Sequence, residues 1–259
     1  MSTKTVAIIG GTGFSDAVLG GVSEVVSTPY GPCDLSKCTA VDGSYFYFLP
    51  RHGIGHSTAP HLINHHANIA ALVQYGVTHV LSTAAVGSLR KVYTPGSFVV
   101  LNDLIDLSRG PVTTFFNEPG SVTHTDFTHP FDEDLRQQLI ASLSGNKRLQ
   151  FHTNGTYVSV SGPRYETPAE VAMFAAFGGD VVGMTVAAEA ILSKEAGLKY
   201  ACLGVITNYG TGINDGVLSH CDVVTQMQDA FPAVQTLLLE LAQILSGAIV
   251  TANSRVTGH

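Results

Sequence analysis

Residues 49–73 read LPRHGIGHSTAPHLINHHANIAALV, and residues 82–89 read STAAVGSL. From Gly43 to Asn102 there is no Asp or Glu, although this window contains Arg51 and six of the eleven histidines of a chain whose net charge is −7. The local charge is therefore opposite in sign to the net charge. A local basic surface of this kind favours the binding of a small anion.

Two residues of this window, Arg51 and His52, are the first candidates for a ligand site. They directly follow the strand-like run YFYFLP (45–50) and precede Gly53. Open α/β sheets place ligand groups where a strand ends and the chain turns. The other histidines of the window are expected at ordinary surface or helix positions.

The histidines of the window do not favour a metal site. His52/His56 and His61/His65 have the i,i+4 spacing of helical ligand pairs. A hydrolytic metal site usually adds a carboxylate as ligand or base, and this window supplies none. We therefore predict that no metal is bound.

The composition is that of one α/β domain. The chain has 259 residues, of which 45% are hydrophobic and 13% charged, so it has ample material for a large core. No linker, low-complexity run or internal repeat interrupts the pattern. We expect a single domain over residues 1–259.

Several locations and partners are not expected. The start, MSTKTVAIIGG, lacks the apolar stretch of a secretion signal, and no later segment reaches the roughly 18 apolar residues of a membrane span. We expect a cytoplasmic protein without membrane contact. A pI near 5.8 without a basic tail disfavours a nucleic acid polymer as partner. The four cysteines are Cys33, Cys38, Cys202 and Cys221. They show no CxxC spacing and are expected to be reduced, with a Cys33–Cys38 bridge as the alternative.

The run VAIIGGTGF (6–14) predicts a buried strand that ends in a glycine-rich loop. The bare backbone N–H groups of this loop and the hydroxyl of Thr12 suit a phosphate group. A dinucleotide fingerprint is the alternative, but GxGxxG read from Gly11 has Asp16 where the third glycine belongs, and no convincing helix pattern follows.

Further along, hydrophobic patterns alternate between strands and helices. This alternation indicates a mostly parallel sheet with right-handed crossovers. Strands are expected at 45–50, 77–86, 155–160, 181–184 and 200–208, with a strand or turn at 97–107. Helices are expected from near Pro60 to Gly76 and at 133–143, 168–177, 187–196 and 220–245, the last with a new turn or kink at Pro232.

Residues 108–131 read as one polar loop dotted with aromatic residues. At about 24 residues it is too long for a simple connector in a compact domain. We expect a lid over the site or an oligomer contact.

Six short blocks, in this order along the chain, resemble the trimeric purine nucleoside phosphorylase family, and most closely its 5'-methylthioadenosine and 5'-methylthioinosine phosphorylase branch. The resemblance runs from residue 6 to about 245. The blocks are GGTG (10–13), RHG (51–53), AVGSL (85–89), GPRYET (162–167), GMT (183–185) and VITN (205–208).

The resemblance implies a fold, a reaction and an assembly. The fold is a single α/β domain with a distorted, mixed, mostly parallel sheet flanked by helices. The reaction is phosphorolysis, in which a purine nucleoside and phosphate give a free base and a pentose 1-phosphate. Phosphate is a co-substrate, and no metal or organic cofactor is used. The assembly is a homotrimer, with a dimer of trimers as an alternative.

The resemblance also implies the site residues. Arg51, His52 and Asn208 are the residues expected to carry catalysis. Where Ala84 stands, members of the methylthioadenosine type usually carry a Thr, so one phosphate hydroxyl is missing here. The phosphate site comprises Thr12, Arg51, His52, the backbone of Ala84 and Ala85, and Thr185. The base and sugar site comprises Tyr165, Glu166, Met184, Asn208, His220 and His124.

Two of these residues are expected to select the base. The resemblance places Asn208 where family members that act on adenine carry an Asp. It places Glu166 where members that act on hypoxanthine and guanine carry a Glu. Members that act on adenine have a second acid at the position of Gly210. An amide can donate to O6, and a carboxylate accepts the N1 proton that only 6-oxopurines carry. We therefore expect a preference for 6-oxopurine nucleosides such as inosine and guanosine. As simpler alternatives, Asn208 ends the strand and Glu166 caps the following helix.

The 5' end of the sugar leaves two substrates open. His220 aligns with a histidine that binds the 5' hydroxyl in nucleoside-type members, which favours inosine and guanosine. The branch-level resemblance favours a 5'-methylthio substrate, which an unpaired imidazole would disfavour. The loop 108–131 is expected to close a neighbouring subunit's site, with His124 and Phe127 reaching the 5' end.

A functional class other than an enzyme also fits the blocks. A binding protein for nucleoside-like or phosphorylated ligands can use the same fold, because a fold alone does not fix function. The presence of Thr12, Arg51, His52 and Thr185 favours the enzyme. Phosphate-dependent release of base from inosine separates the two classes.

Overall fold

The structure, a computed structural model, describes residues 4–12, 21–39, 43–110, 113–120, 122–214 and 220–246, except for the side chains of 220–222. Within these residues the strands are β1 (Val6–Gly10), β2 (Val22–Thr28), β3 (Gly31–Thr39), β4 (Tyr45–Pro50), β5 (His79–Ser88), β6 (Phe98–Val100), β7 (Asp103–Asp106), β8 (Phe151–His152), β9 (Thr156–Ser159), β10 (Val181–Gly183) and β11 (Lys199–Tyr209). The α-helices are α1 (His65–Gln74), α2 (Glu133–Ser144), α3 (Pro168–Ala176), α4 (Val186–Glu195) and α5 (His220–Leu245).

These strands join in one mixed sheet in which parallel pairing predominates. β1 lies parallel to β4 and β5, β5 parallel to β11, and β9 parallel to β7 and β10. The antiparallel pairs are β2 with β3, β3 with β4, β5 with β10, and β6 with β11. The predicted fold class is confirmed.

Helices cover both faces of the sheet, which explains why its central strands are buried along almost their whole length. In β1, Ala7 and Ile9 pack into one core cluster, whereas Val6 and Ile8 pack into another. The first cluster includes residues of α1 and α4, and the second includes residues of α2 and α5. Side chains that alternate between two buried faces are what a two-sided sheet requires.

The longest contact between strands is the one between β5 and β11, which pair along the whole length of β5. β11 therefore occupies one edge of β5 throughout. The other edge is shared, because β1 pairs with it only as far as Ser82, and β10 joins it only at Gly87. Among the described residues, no strand pairs with residues 83–86 on that edge, and the sheet opens there.

The structure differs from the predictions at one helix and at strands that were not predicted. The helix expected from Pro60 is instead a short 3-10 turn, Pro60–Leu62, followed by α1. Ile63 is extended, and the Asn64 side chain caps the new helix by accepting a hydrogen bond from Ala67 N. β2 and β3 were not predicted. β2 lies at the sheet edge with its side chains mostly exposed, so its sequence lacks the buried face that a pattern search needs.

Several other expectations concern residues that the structure describes. Residues 108–131, where described, contain no helix or strand. Cys33, Cys38 and Cys202 are buried and are not disulfide-bonded, and the side chain of Cys221 lies outside the described residues. α5 continues through Pro232. Among the described residues, no helix has the length and apolar character needed to span a membrane.

Candidate active site

A cavity of about 460 Å³ lies where the sheet opens beside β5. Its walls come from the carboxyl ends of β1, β4, β5 and β11 and from the starts of α3 and α4. The lining residues are Thr12, Arg51, His52, His56, Ser57, Thr58, Ala59, Pro60, Ala85, Val86, Gly87, Pro163, Tyr165, Glu166, Val182, Gly183, Met184, Thr185, Thr207, Asn208 and Val223.

Most of the predicted site residues meet in this cavity, although their roles stay predictions. Ala84 is buried beside the cavity without lining it, and His124 is exposed and lies outside it. The side chain of His220 lies outside the described residues. The cavity brings together Thr12, Arg51, His52, Ala85 and Thr185 from the phosphate set and Tyr165, Glu166, Met184 and Asn208 from the base set.

Arg51 reaches the cavity as a buried cation with four of its five N–H groups hydrogen-bonded within the protein. Its Nε and Nη2 donate to the two carboxylate oxygens of Glu189 at 2.5 and 3.0 Å. Nη2 also donates to Ser82 Oγ at 2.7 Å, and Nη1 donates to the Thr83 carbonyl at 2.7 Å. Burial disfavours the charge of Arg51, but the charge and hydrogen bonds of Glu189 raise its pKa above the ordinary value. The sequence analysis did not identify this partner.

His52 is held in one neutral form. Its Nδ1 lies 2.8 Å from the Thr58 carbonyl, which can only accept, so Nδ1 carries the proton. Burial and the neighbouring charge of Arg51 lower the pKa of His52 to about 4. At neutral pH the ring is therefore uncharged, and Nε2 is an acceptor. Such a nitrogen can bind the O–H of a protonated phosphate.

Neutral donors surround the same end of the cavity. Because the Thr83 carbonyl points to the open edge of β5, strand alternation directs the N–H of Ala85 there as well. Thr185 precedes α4, and its hydroxyl makes no capping bond to that helix. The N-terminus of a helix favours an anion. These donors can hold phosphate without a free cation.

The loop after β1 approaches Arg51 closely. Gly11 N donates to Thr83 Oγ1 at 3.4 Å. A Cβ at Gly11 would overlap with Nη1 of Arg51 and lie 3.0 Å from the Thr83 carbonyl oxygen. Glycine is required here by the space that the guanidinium occupies.

At the other end of the cavity, Asn208 has a fixed amide. Its Oδ1 accepts from Thr207 Oγ1 at 2.8 Å, and its Nδ2 donates to the Tyr209 carbonyl at 3.0 Å. The residue lies where the register between β11 and β5 shifts, past Ile206. The second Nδ2 proton remains for a ligand atom that accepts a hydrogen bond.

Glu166 is a buried acid that forms no salt bridge with the described residues. It is 7% exposed, and burial raises its pKa above the ordinary value. Arg164 is close in sequence, but its Nη1 and Nη2 donate to Glu170 at 2.8 and 2.7 Å. The predicted alternative, that Glu166 caps α3, is wrong, because Thr167 is the capping residue and Glu170 completes its capping box.

Gly210 is tightly packed, so an acid at this position would require its neighbours to shift. A Cβ there would lie 3.0 Å from the Ser88 carbonyl oxygen and 3.2 Å from each methyl group of Val171. Among the described lining residues, Glu166 is the one with a carboxylate. Among the described residues, no group of three or more His, Cys, Asp or Glu side chains is arranged to hold a metal ion.

The long loop is docked on its own chain at two places. Glu195 accepts from Thr114 Oγ1 at 2.7 Å and from Phe115 N at 2.6 Å. Phe127 is half-buried against the core of its own chain, whereas His124 is exposed. Within one chain, neither residue reaches the cavity.

Comparison with known proteins assigns the family. The Phosphorylase superfamily matches residues 5–243, and the chain belongs to it. A probable 6-oxopurine nucleoside phosphorylase from Dictyoglomus turgidum is 43% identical over 235 residues, or 90% of this chain and 88% of the relative. A probable S-methyl-5'-thioinosine phosphorylase from Thermodesulfovibrio yellowstonii is 36% identical over 239 residues, or 91% and 89% of the two chains.

A solved structure agrees with these sequence relatives. Methylthioadenosine phosphorylase from Schistosoma mansoni in complex with adenine has a TM-score of 0.88 and 33% identity, and covers 94% of this chain and 92% of its own. The relatives are nucleoside phosphorylases, and the chain is an enzyme of this pentosyltransferase family.

Replacing Gly11 by Ala should weaken phosphate binding. The added methyl group overlaps with Nη1 of Arg51, so the guanidinium must move, and we expect the Kd of inorganic phosphate to rise by about 10-fold or more. The free energy of unfolding should fall by roughly 1–3 kcal/mol. Calorimetric titration and urea unfolding measure the two effects. Gly145→Ala, at the end of α2, is the control, and an unchanged Kd in Gly11→Ala would contradict the assignment.

Proposed function

We propose that this protein catalyses the phosphorolysis of 6-oxopurine nucleosides, with inosine and guanosine as substrates. A phosphate oxygen bonds to the anomeric carbon, the bond from that carbon to N9 breaks, and its electron pair leaves with the base. The products are a free purine and a pentose 1-phosphate. The carrying observation is that neutral anion donors, an amide and a single acid line one cavity.

The proposed roles follow from the position of each side chain in the cavity. Thr12, His52, the Ala85 backbone and Thr185 hold phosphate, together with the free N–H of Arg51. The sugar then develops positive charge, which the phosphate stabilises, while the base takes up negative charge. Asn208 donates to N7 or O6 of the departing purine. No protein nucleophile, metal or organic cofactor enters this proposal, in which catalysis depends on positioning.

Base selection in this proposal rests on Glu166 and Asn208. An ionised Glu166 accepts the N1–H of a 6-oxopurine, whereas N1 of adenine is itself an acceptor and would leave the buried carboxylate unpaired. Mismatched buried groups of this kind discriminate strongly between substrates. The tight packing at Gly210 also disfavours a second acid.

Phosphate-dependent release of base should be much faster from inosine than from adenosine. Replacing Glu166 by Gln should reduce kcat/KM for inosine by about 100-fold, with little effect on adenosine. Glu170→Gln, which changes an acid of α3 that does not line the cavity, serves as the control. A protein that binds inosine but releases no base with phosphate would contradict the enzyme proposal, and faster cleavage of adenosine would contradict the base assignment.

The proposed role of Glu166 also predicts how kcat/KM for inosine changes with pH. Because burial raises the pKa of Glu166 above its ordinary value, the carboxylate becomes protonated at a higher pH than a free acid. Protonation removes the acceptor for N1–H. We expect kcat/KM for inosine to fall as the pH falls through this raised pKa, and the fall to be absent in Glu166→Gln.

A second candidate substrate is a 5'-methylthio nucleoside with the same base type, methylthioinosine. Val223 near the start of α5 is 7% exposed and lines the cavity, so this wall has an apolar member suited to a thiomethyl group. The 36% identical relative named for methylthioinosine carries the same suggestion. Methylthioadenosine is disfavoured because N1 of its adenine is an acceptor and would leave the buried carboxylate of Glu166 unpaired.

The 5' preference can be measured directly. We expect wild-type protein to cleave inosine with a higher kcat/KM than methylthioinosine or methylthioadenosine. His220→Val should lower inosine cleavage by about 10-fold and spare methylthioinosine, because a hydrogen bond to the 5' hydroxyl is lost. Val223→Thr is the comparison on the apolar wall. A wild-type preference for methylthioinosine that His220→Val leaves unchanged would contradict this assignment.

We also propose a homotrimer that acts in the cytoplasm in purine salvage. Ile54 and Leu62 flank the lining segment 56–60 and are 56% and 66% exposed, and Val122 in the long loop is 81% exposed. Apolar side chains on a loop of this length suit contact with another copy. In this arrangement His124 of one subunit reaches the site of its neighbour.

Breaking this contact should impair catalysis. Ile54→Asp with Leu62→Asp should yield monomers by analytical ultracentrifugation and reduce kcat/KM for inosine by about 10-fold, because the sugar end of the site is then incomplete. Val25→Asp, another exposed apolar position, is the control. Monomers with full turnover would remove the proposal that His124 acts across subunits.

A further inference from the structure

The most heavily hydrogen-bonded acid near the cavity is Glu189, on α4. It is fully buried and accepts four hydrogen bonds. Two come from Arg51, one from Ser82 Oγ at 2.9 Å and one from the Tyr200 hydroxyl at 2.8 Å. Burial alone would raise the pKa of Glu189, but the charge and hydrogen bonds of Arg51 hold it below the ordinary value, so the carboxylate is ionised.

The hydrogen bonds of Arg51 can be counted against the five N–H groups of a guanidinium. Nε donates to Glu189, both protons of Nη2 are used by Glu189 and Ser82, and one proton of Nη1 is used by the Thr83 carbonyl. One N–H of Nη1 remains. Nη1 lies so close to Gly11 that a methyl group added there would overlap with it, so this N–H belongs to the loop end of the cavity.

Glu189 also determines the charge that a ligand meets. The ion pair has a side-chain exposure of 1% for each partner, and its net charge is zero. His52 faces Arg51, His56 and Glu189 and is neutral. Among the described lining residues, no other arginine and no lysine reaches the cavity. A bound phosphate therefore keeps most of its negative charge for the developing positive charge of the sugar.

We propose that Glu189 is a positioning residue for phosphate: it orients the Arg51 guanidinium so that one Nη1 N–H meets the anion, and it touches no substrate itself. This inference rests on the proposed function, in which phosphate is the co-substrate. A bidentate pair fixes a planar guanidinium in both position and rotation, which a single contact cannot do. Ser82 supports the arrangement by bridging the two partners.

Glu189→Gln tests this role. One end of the amide must face an Arg51 N–H with its own N–H, so one of the two contacts is lost. We expect KM for phosphate to rise by about 10-fold or more, while KM for inosine changes by less than about 2-fold. Calorimetric titration with inorganic phosphate alone should show the same rise in Kd. Equal changes in both KM values, or no change, would overturn the proposal.

Two further variants separate orientation from charge and from folding. Glu189→Asp keeps the charge but is shorter by one methylene, so it should resemble Glu189→Gln; wild-type behaviour would overturn the orienting role. Ser82→Ala removes the bridge while both charges remain, and should raise KM for phosphate by about 3-fold with KM for inosine unchanged. It keeps the proposal testable if the Glu189 variants do not fold. A Ser82→Ala protein with unchanged phosphate KM would then overturn it.

The matched control is Glu133→Gln. It removes a carboxylate from another buried arginine, Arg136, which keeps its bonds to the Leu101 and Thr153 carbonyls. Both KM values should stay at the wild-type level. Failure of the proposed function would look different, because wild-type protein would then release no base from inosine with phosphate, whatever the behaviour of Glu189→Gln.

Discussion

The structure depends on how the two edges of β5 are used. β11 occupies one edge completely, and β1 and β10 divide the other, approaching it from opposite ends and in opposite directions. Backbone groups that no strand can reach remain between them. A buried N–H without a partner costs about 1–3 kcal/mol, so the opening is stable only as a polar cavity. The division of one strand edge thus creates the ligand site.

A buried ion pair stabilises the wall of this opening. Removing both charges of Arg51 and Glu189 from water costs several kcal/mol for each ion, which one contact does not offset. Here the carboxylate accepts four hydrogen bonds and the guanidinium donates four. The cluster joins β4, β5, α4 and β11, so four elements share one geometry. A phosphate ligand enters a site whose shape is already fixed.

Sequence patterns predicted most of the sheet and most helices, and the family resemblance supplied most of the predicted site residues that lie in the cavity. They succeeded where a run is apolar and ends in glycine or a polar residue, as in β1, β5 and β11. They failed where the decisive contact is distant in sequence. Arg51 and Glu189 are separated by 138 residues, and Glu189 lies in an ordinary helical run, AAEAIL, without a motif. An acid within the otherwise apolar run 187–192 was the available indication. The edge strand β2 was also not predicted, because an exposed strand lacks the alternating apolar residues of a buried face.

The crowding at Gly210 limits how this enzyme can change over evolution. A mutation to Asp at this position brings Cβ to 3.0 Å from the Ser88 carbonyl oxygen and to 3.2 Å from both methyl groups of Val171, so these neighbours must shift. A smaller residue at 171 must come first to make room, and alone it only opens a void beside α3. Each change alone disturbs the packing, and the acid is accommodated only when both changes are present. A lineage with this packing is therefore separated from a second acid by an unfavourable intermediate, although the sequence distance is only two substitutions.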